Sequence, residues 1–235
     1  AYQFTRKALG IKEETIVEFR TTPTPTDGQV KQRFIDTVSK DVIFNNRVYG
    51  LPLSVDTMVL YYNRDLLNNA GLAQGKAPIH EGDPDNWDTM IDTNVKGLLY
   101  MTHAVAPLMV KRKKGHIVNI GSIAGKEVYK GGAVYNATKF AVEALCKAMQ
   151  VDFLEHNIRV SNICPGLTRT EFALVRFNGD REKAEEVYEG YEPLRPEDIA
   201  EAIWFAVSRP PHVNVNDMLI VPSAQANTVY IRKEN

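Results

Sequence analysis

The hydrophobic and polar positions of the chain alternate between helix-like and strand-like patterns from residue 85 onward. Between residues 85 and 111, Trp87, Ile91 and Val95 recur at a spacing of four, which predicts one long amphipathic helix. The same reading predicts strands at 115–121, 159–164 and 218–221 and helices at 134–156 and 196–208. Strands that alternate with helices predict an α/β fold, in which helices cover both faces of a parallel sheet.

The first 67 residues have a different character. A loop rich in proline and threonine is predicted at 21–28, and a short amphipathic helix at 30–38. The segment 57–62 is rich in β-forming side chains and predicts a strand. No internal repeat connects this part to the rest of the chain.

The composition is that of an ordinary globular protein, with 44% apolar and 24% charged residues among 235. This length suits one large α/β domain or two small ones. The net charge of −1 gives no reason to expect a nucleic-acid partner or an acidic membrane surface. One basic run, at 111–114, falls between a helix and a strand and is interpreted as a solvated loop.

The two cysteines, Cys146 and Cys164, cannot form a disulfide framework or a four-cysteine zinc site. The five histidines are scattered, and we therefore expect no metal. No apolar stretch approaches the roughly 18 residues of a membrane span, and no signal-peptide pattern opens the sequence. The expected location is the cytoplasm, without a membrane partner.

Two side chains with complementary acid–base chemistry, Tyr135 and Lys139, lie four residues apart, so a helix places both on one face. A tyrosine with a pKa of about 10 is a poor base at neutral pH, and a neighbouring ammonium lowers that pKa. Ser122 ends a predicted strand and can hydrogen-bond the same substrate oxygen as Tyr135. Taken alone, such a Tyr/Lys pair is more often a surface feature, and a serine between glycines is more often a turn residue.

Five short motifs occur in a fixed order along the chain. They are Asn68-Asn69-Ala70-Gly71, Asn94 within 92–95, Ser122 within 121–125, the pair Tyr135 and Lys139, and Pro165-Gly166. In this order and approximate spacing, residues 68–235 resemble the classical short-chain dehydrogenase/reductase family. The resemblance implies a Rossmann-like doubly wound sheet and an NAD(P)-dependent oxidoreductase, in which the nicotinamide carries the hydride.

The resemblance also implies roles for particular residues. Asn94, Ser122, Tyr135 and Lys139 are the implied catalytic set, in which Asn94 holds a water that links Lys139 to solvent. Cofactor contacts are implied for Asn69, Ala70 and Gly71 on the adenosine side, for Pro165, Gly166, Leu167 and Thr168 at the nicotinamide amide, and for Tyr135 and Lys139. The segment from 168 to about 193 is the implied substrate lid, and its charge and lack of clear apolar periodicity suit a mobile element.

The carboxy-terminal part of the sequence resembles one particular branch of this family. The strings at 170–172, 175–177 and 211–214 are similar to the branch of the family that oxidises serine, allo-threonine and related 3-hydroxy acids. By resemblance alone, NADP is favoured over NAD, and the substrate is a small molecule. Family members are commonly tetramers that pair through the helices carrying Asn94 and Tyr135, so a homo-oligomer is expected.

The amino-terminal part departs from the family pattern. A member should begin with a strand followed by T-G-x-x-x-G-x-G, whose glycines let the backbone approach the cofactor pyrophosphate. Before Leu67 the glycines are Gly10, Gly28 and Gly50, and their spacing does not form this motif. The residue that selects NAD or NADP cannot be located either, and this half of the sheet is expected to be atypical or incomplete.

Residues 1–67 resemble a different family. The string at 48–67 is similar to the extracellular solute-binding proteins of sugar-type ABC transporters, although it also fits the strand and turn of any α/β protein. The two resemblances meet at 67–72, which indicates a chimera of two incomplete parents. Three hypotheses follow: an NAD(P)-dependent oxidoreductase, a solute-binding fragment, and a catalytically impaired hybrid that binds the cofactor weakly. The strand at 57–62 is a candidate replacement for a missing sheet neighbour.

Overall fold

The computed structural model describes residues 71–234 and, before them, the short stretches 43–44, 47–48 and 59–60. The predicted loop at 21–28 and helix at 30–38 lie outside the described residues, as do Asn69 and Ala70. Two strands, β1 (Ile43–Phe44) and β2 (Arg47–Val48), pair with each other in antiparallel fashion.

The main sheet is parallel, as the alternation of strands and helices predicts. In the described part of the chain its strands are β3 (Val59–Leu60), β4 (Gly115–Ile120), β5 (Ile158–Pro165) and β6 (Asp217–Ile220), in that spatial order. In register, Ile117 of β4 faces Val59 on one side and Val160 on the other. The predicted strand at 57–62 therefore contributes two residues that pair beside β4.

Helices lie at each predicted position, 85–111, 134–156 and 196–208, but the first is divided in two and the second ends four residues early. Two further short helices lie within 168–193, where none was predicted. In chain order the helices are α1 (Pro84–Ile91), α2 (Gly97–Arg112), α3 (Ala133–Asp152), α4 (Phe172–Arg176), α5 (Arg181–Glu186) and α6 (Pro196–Val207). Asp83 caps α1 by accepting a hydrogen bond from the Asp85 amide at 3.0 Å, and Pro84 fills the first turn. No helix within residues 71–234 is long and apolar enough to cross a membrane.

Helices cover both faces of the sheet, which confirms the doubly wound arrangement. Ile117 and Val160 are buried on one face in a cluster with side chains of α2 and α3, including Val105 and Met149. On the opposite face, Val118 and Ile163 form a second cluster with Ala206 and its neighbours on α6. The side chains of Ile117 and Val118, which are adjacent in β4, thus point to opposite faces of the sheet, because side chains alternate along a strand.

The long helix predicted between 85 and 111 is interrupted in the middle. A π-helical turn, Asp92–Lys96, joins α1 to α2, and the amide of Gly97 donates to the carbonyl of Asp92 across it. Such turns insert one residue into a helix, and they are frequent at functional sites. Here the turn contains the buried side chain of Asn94.

Candidate active site

The predicted catalytic side chains lie where the carboxyl end of β4 meets α3. Ser122 follows β4 and begins a 3₁₀ turn, Ile123–Gly125, by accepting a hydrogen bond from the Ala124 amide at 3.1 Å. Tyr135 and Lys139 occupy successive turns of α3. The structure brings these three side chains together with Asn94.

Lys139 is the most deeply buried charged side chain among those described, with 1% of its surface exposed. Its Nζ donates to the carbonyl oxygens of Ile120 and Gly121, each at 3.0 Å. Burial lowers the pKa of this ammonium to about 7, because the charged form loses its hydration. The amine therefore changes charge near neutral pH.

Gly71, the last residue of the Asn-Asn-Ala-Gly motif, packs directly on Lys139. Its φ of +98° is one that side chains other than glycine rarely adopt. A Cβ at this position would stand 2.3 Å from Lys139 Cε, so the glycine gives the lysine its space. This contact places Gly71 beside Lys139. Asn69 and Ala70 lie outside the described residues, and the contact of the motif with the adenosine side of the cofactor stays a prediction.

Tyr135 is buried, and its ring packs on Phe172 of α4 with centroids 5.6 Å apart. Burial raises the pKa of its phenol above the ordinary value, and Ser122 and Arg176 oppose that shift. The prediction that the Lys139 ammonium lowers the pKa is not met. The Lys139 Nζ lies 6.0 Å from the ring centroid, and its pKa is itself lowered by the burial that raises that of the phenol.

The Asn94 side chain holds the backbone of Leu72. Its Oδ1 accepts from the Leu72 amide at 2.7 Å, and its Nδ2 donates to the Leu72 carbonyl and to Thr138 Oγ1, each at 2.9 Å. Both amide protons are thus in use. In the described structure the Asn94 side chain bonds to the backbone of Leu72 and to Thr138. Its role in holding a water, which the resemblance implies, stays a prediction.

The residues predicted to contact the nicotinamide amide follow the carboxyl end of β5. The Gly166 amide donates to Ile220 of β6 at 2.6 Å, and the Leu167 amide donates to Gln225 Oε1 at 2.9 Å. Thr168 Oγ1 donates back to the Gly166 carbonyl at 3.2 Å. The loop 165–168 is therefore fixed at the same edge of the sheet as Ser122.

The implied lid begins directly after this loop and contains α4 and α5. Buried Ala173, Ala184 and Tyr188 pack the two short helices together. The end of this segment is hydrogen-bonded to its beginning. The Leu194 carbonyl accepts from the Arg169 amide at 2.8 Å, and the Leu194 amide donates to the Leu167 carbonyl at 3.0 Å. A segment without apolar periodicity thus forms local helical structure over Tyr135.

A cleft of about 150 Å³ opens beside Tyr135. This is below the roughly 300–1,000 Å³ of drug-sized sites and suits a small substrate. Its walls include Gln74, Trp87 and Arg176, none of which the sequence assigned to the site. No spacing rule links these positions, since they lie on separate elements more than ten residues apart.

The described side chains fit one half of a nicotinamide dinucleotide. A buried phenol, an ammonium and the backbone of 165–168 are donors and acceptors suited to a ribose and a carboxamide. The sequence offers no T-G-x-x-x-G-x-G for the pyrophosphate. The chain thus fits the nicotinamide end of the cofactor and lacks the motif for its phosphate end.

Comparison with known families identifies two matches. Residues 64–179 match the short chain dehydrogenase family, and residues 20–97 match the bacterial extracellular solute-binding protein family. The two matches overlap at 64–97, which contains the predicted junction at 67–72. Two overlapping segments of this chain thus match two different families.

Named relatives share the carboxy-terminal part. The NADP-dependent 3-hydroxy acid dehydrogenase YdfG of Salmonella typhi is 51% identical over 162 residues, which cover 68% of this chain and 65% of the relative. An NADP-dependent 3-hydroxy acid dehydrogenase of Schizosaccharomyces pombe is 48% identical over 167 residues, covering 70% and 64%. The match thus spans slightly less than two thirds of these relatives.

Solved structures agree with this assignment. The closed form of a serine dehydrogenase complexed with NADP+ is 38% identical, covers 89% of this chain and 77% of its own, and superimposes with a TM-score of 0.70. Serine dehydrogenase from Escherichia coli is 43% identical with a TM-score of 0.56, covering 68% and 63%. Through its fold, motifs and relatives, the chain belongs to the short-chain dehydrogenase family.

Proposed function

We propose that this chain is an NADP-dependent oxidoreductase of small 3-hydroxy acids, such as serine or allo-threonine, with Tyr135 as the acid/base. The observation that carries the proposal is the position of the Tyr135 phenol, which borders a small cleft and interacts with Ser122. The relatives named as 3-hydroxy acid and serine dehydrogenases support the substrate class.

Each side chain of the set has a defined task in this proposal. Ser122 hydrogen-bonds the substrate oxygen, and Tyr135 takes the hydroxyl proton during oxidation or returns it during reduction. Lys139, whose pKa is lowered to about 7, releases and regains a proton behind Tyr135. Lys139 and the loop 165–168 would hold NADP, which would supply the acceptor for the hydride.

The direct test replaces Tyr135 with phenylalanine, which keeps the ring packed on Phe172 and removes the hydroxyl. We expect NADP-dependent turnover of 3-hydroxybutyrate to fall at least about a hundredfold, as loss of a general acid/base does. Tyr230→Phe, at an exposed position, is the matched control and keeps full turnover. Equal turnover of Tyr135→Phe and the control would refute the assignment.

A second candidate is a catalytically impaired hybrid. The missing glycine motif and the match of residues 20–97 to solute-binding proteins favour it. We place the junction near 67–72, which makes residues 1–67 a foreign start to a catalytic half at 68–235. Absence of turnover even at millimolar NADP, with the fold intact, would support this candidate over the first.

We further propose that the chain forms a homo-oligomer through α2 and α3, as a tetramer by resemblance. Exposed apolar side chains on these helices support this, namely Leu99, Tyr100 and Phe140. Light scattering coupled to size exclusion tests it, and a monomer at all concentrations would contradict it. The free thiols of Cys146 and Cys164 support a reducing compartment, and we propose the cytoplasm.

A further inference from the structure

Among residues 71–234, Arg176 is the one arginine that lines the cleft beside Tyr135. Arg176 lies one turn after Phe172 on α4, so the two side chains share a face of that helix. Phe172 packs on the Tyr135 ring, and Arg176 lines the cleft together with Tyr135. The helix therefore fixes a permanent positive charge close to the phenol.

The position of Arg176 is set by contacts that leave part of its guanidinium available. Its Nε donates to the Gly75 carbonyl at 3.3 Å, and its own carbonyl accepts from the Gly75 amide at 3.1 Å. The guanidinium carbon lies 5.2 Å from the centre of the Tyr129 ring. These interactions orient the side chain without using its terminal Nη2.

The terminal Nη2 of Arg176 is buried and has no hydrogen-bond partner within residues 71–234. Nor does any carboxylate in this part of the chain form an ion pair with Arg176. A buried cationic donor without a partner costs several kcal/mol, which an anionic ligand would offset. The guanidinium fork matches the two oxygens of a carboxylate.

Two neutral groups nearby are buried as well. The Tyr129 hydroxyl interacts with Arg176, and Gln74 Oε1 has no hydrogen-bond partner within residues 71–234. The hydroxyl can donate to an anion, and so can the Gln74 amide after a flip, because its N and O positions are interchangeable assignments. Gln74 and Arg176 line the cleft, and the Tyr129 ring lies against Arg176.

Acidic residues at the cleft do not neutralise this site. Glu81 and Asp83 line its mouth and are exposed. Glu81 lies 3.0 Å from His80, and Asp83 caps α1. Trp87 and Met90 also line the cleft and pack in the same apolar cluster as Tyr135. Because these two side chains exclude water, they strengthen the attraction between Arg176 and an anion.

We propose that Arg176 binds the carboxylate of the substrate acid, assisted by Tyr129 and Gln74, and thereby sets the specificity for 3-hydroxy acids. This inference rests on the proposed function, because it assigns the substrate of the same cleft. In a 3-hydroxy acid one carbon separates the carboxylate from the hydroxyl-bearing carbon. A carboxylate held by Arg176 therefore directs the hydroxyl toward Tyr135.

The test measures binding rather than turnover. The sequence has two tryptophans, and Trp87 lines the cleft, so a Trp204→Phe background makes fluorescence report on Trp87. The probes are 3-hydroxybutyrate and butane-1,3-diol, which share a carbon skeleton and differ in the carboxylate. Both are titrated with and without NADP+, into the background protein and into its Arg176→Gln, Arg176→Lys and Arg169→Gln variants.

We expect the background protein to bind 3-hydroxybutyrate at least about tenfold more tightly than the diol. Arg176→Gln removes that preference and leaves diol binding unchanged, while Arg176→Lys, which keeps the charge and loses the fork, falls between. Arg169→Gln, at an exposed arginine of the same lid paired with Glu185, keeps the full preference.

Several results would overturn the inference. They are equal binding of acid and diol, an unchanged preference in Arg176→Gln, and an equal loss in Arg169→Gln. The ratio of the two Kd values, for the acid and for the diol, is measured on the background protein itself. Equal values would therefore overturn the inference even if an arginine variant fails to fold. A protein that binds the acid through Arg176 but does not oxidise it would refute the proposed function and leave this inference standing.

Discussion

Asn94 holds Leu72 by both backbone groups, accepting from its amide at 2.7 Å and donating to its carbonyl at 2.9 Å. This pairing imitates the hydrogen bonds of a neighbouring strand and fixes the chain directly after Gly71. Since Gly71 packs on Lys139, the pairing also determines where Lys139 lies. A residue on the π-helical turn thereby positions a lysine on α3.

Asn94→Ala should therefore weaken both the fold and the site. The substitution leaves the buried amide and carbonyl of Leu72 without their partner, at a cost of about 2–4 kcal/mol in the free energy of unfolding. Thr138→Val is the matched control, because it removes the bonds of Thr138 to Asn94 and to the Tyr135 carbonyl and keeps both bonds of Asn94 to Leu72. Urea denaturation measures the two effects, and an equal loss in both variants would contradict this account.

Gly125 is confined by the backbone of α3. A Cβ there would stand 2.6 Å from the carbonyl oxygen of Lys139, and this backbone cannot move without shifting the lysine. We expect Gly125→Ala to lower the melting temperature and to reduce turnover together. Gly97→Ala is the control, since its Cβ would meet the nearest carbonyl at an ordinary 3.5 Å and alanine favours a helix. Similar melting of the two variants would be evidence against the confinement.

The carboxy-terminal fold was largely predictable because its elements carry strong periodic signals. The strand at 115–121 and the helix at 134–156 were both confirmed to within a few residues, since glycines and apolar spacing mark them. The π-helical turn was not predicted. It differs from the predicted helix in its hydrogen bonds, which a pattern of side chains does not encode. Ile91 of the predicted apolar face is exposed, whereas Met90 and Asn94 are buried.

The proximity of the predicted site residues could be foreseen from the sequence, and their electrostatics could not. Motif order predicted that Ser122, Tyr135 and Lys139 share a site, and the structure places them near one another, while their catalytic roles stay predictions. The direction of the Tyr135 pKa was wrong, because burial outweighs a lysine that is itself desolvated. Arg176 belongs to the string 175–177 of the implied lid, but the sequence indicated no role for it. A single arginine in a charged segment is expected to be solvated, and only its contacts in the structure indicate otherwise.

His116 makes the stability depend on pH. Its Nε2 lies 2.8 Å from Ser161 Oγ, and burial, reinforced by the charge of Arg159, lowers its pKa to about 4. Between pH 6.5 and 4 the unfolded chain binds a proton that the folded chain does not, so the free energy of unfolding falls as pH decreases. The loss is on the order of 3 kcal/mol.

Urea denaturation at several pH values measures this dependence. In His116→Gln, which keeps a partner for Ser161 and cannot titrate, the part of the slope due to His116 should disappear. His212→Gln, at an exposed histidine, is the matched control. A slope between pH 6.5 and 4 that is the same in His116→Gln and in the unsubstituted chain would contradict the assignment.

The absent glycine motif makes a prediction about which part of the cofactor contributes to binding. Lys139, Tyr135 and the loop 165–168 fit the nicotinamide end, and the sequence offers no T-G-x-x-x-G-x-G for the pyrophosphate. Reduced nicotinamide mononucleotide contains only the nicotinamide, its ribose and one phosphate. Titrating this compound and NADPH by fluorescence compares the two ends directly.

This titration is the most direct test of the central claim, that a dehydrogenase catalytic half persists without the glycine motif for the cofactor phosphates. We predict weak binding of both compounds, well above micromolar Kd, with values within about tenfold of each other (about 1.4 kcal/mol). Loss of both signals in Lys139→Met would assign them to the nicotinamide end. Micromolar binding of NADPH, far tighter than that of the mononucleotide, would contradict the account.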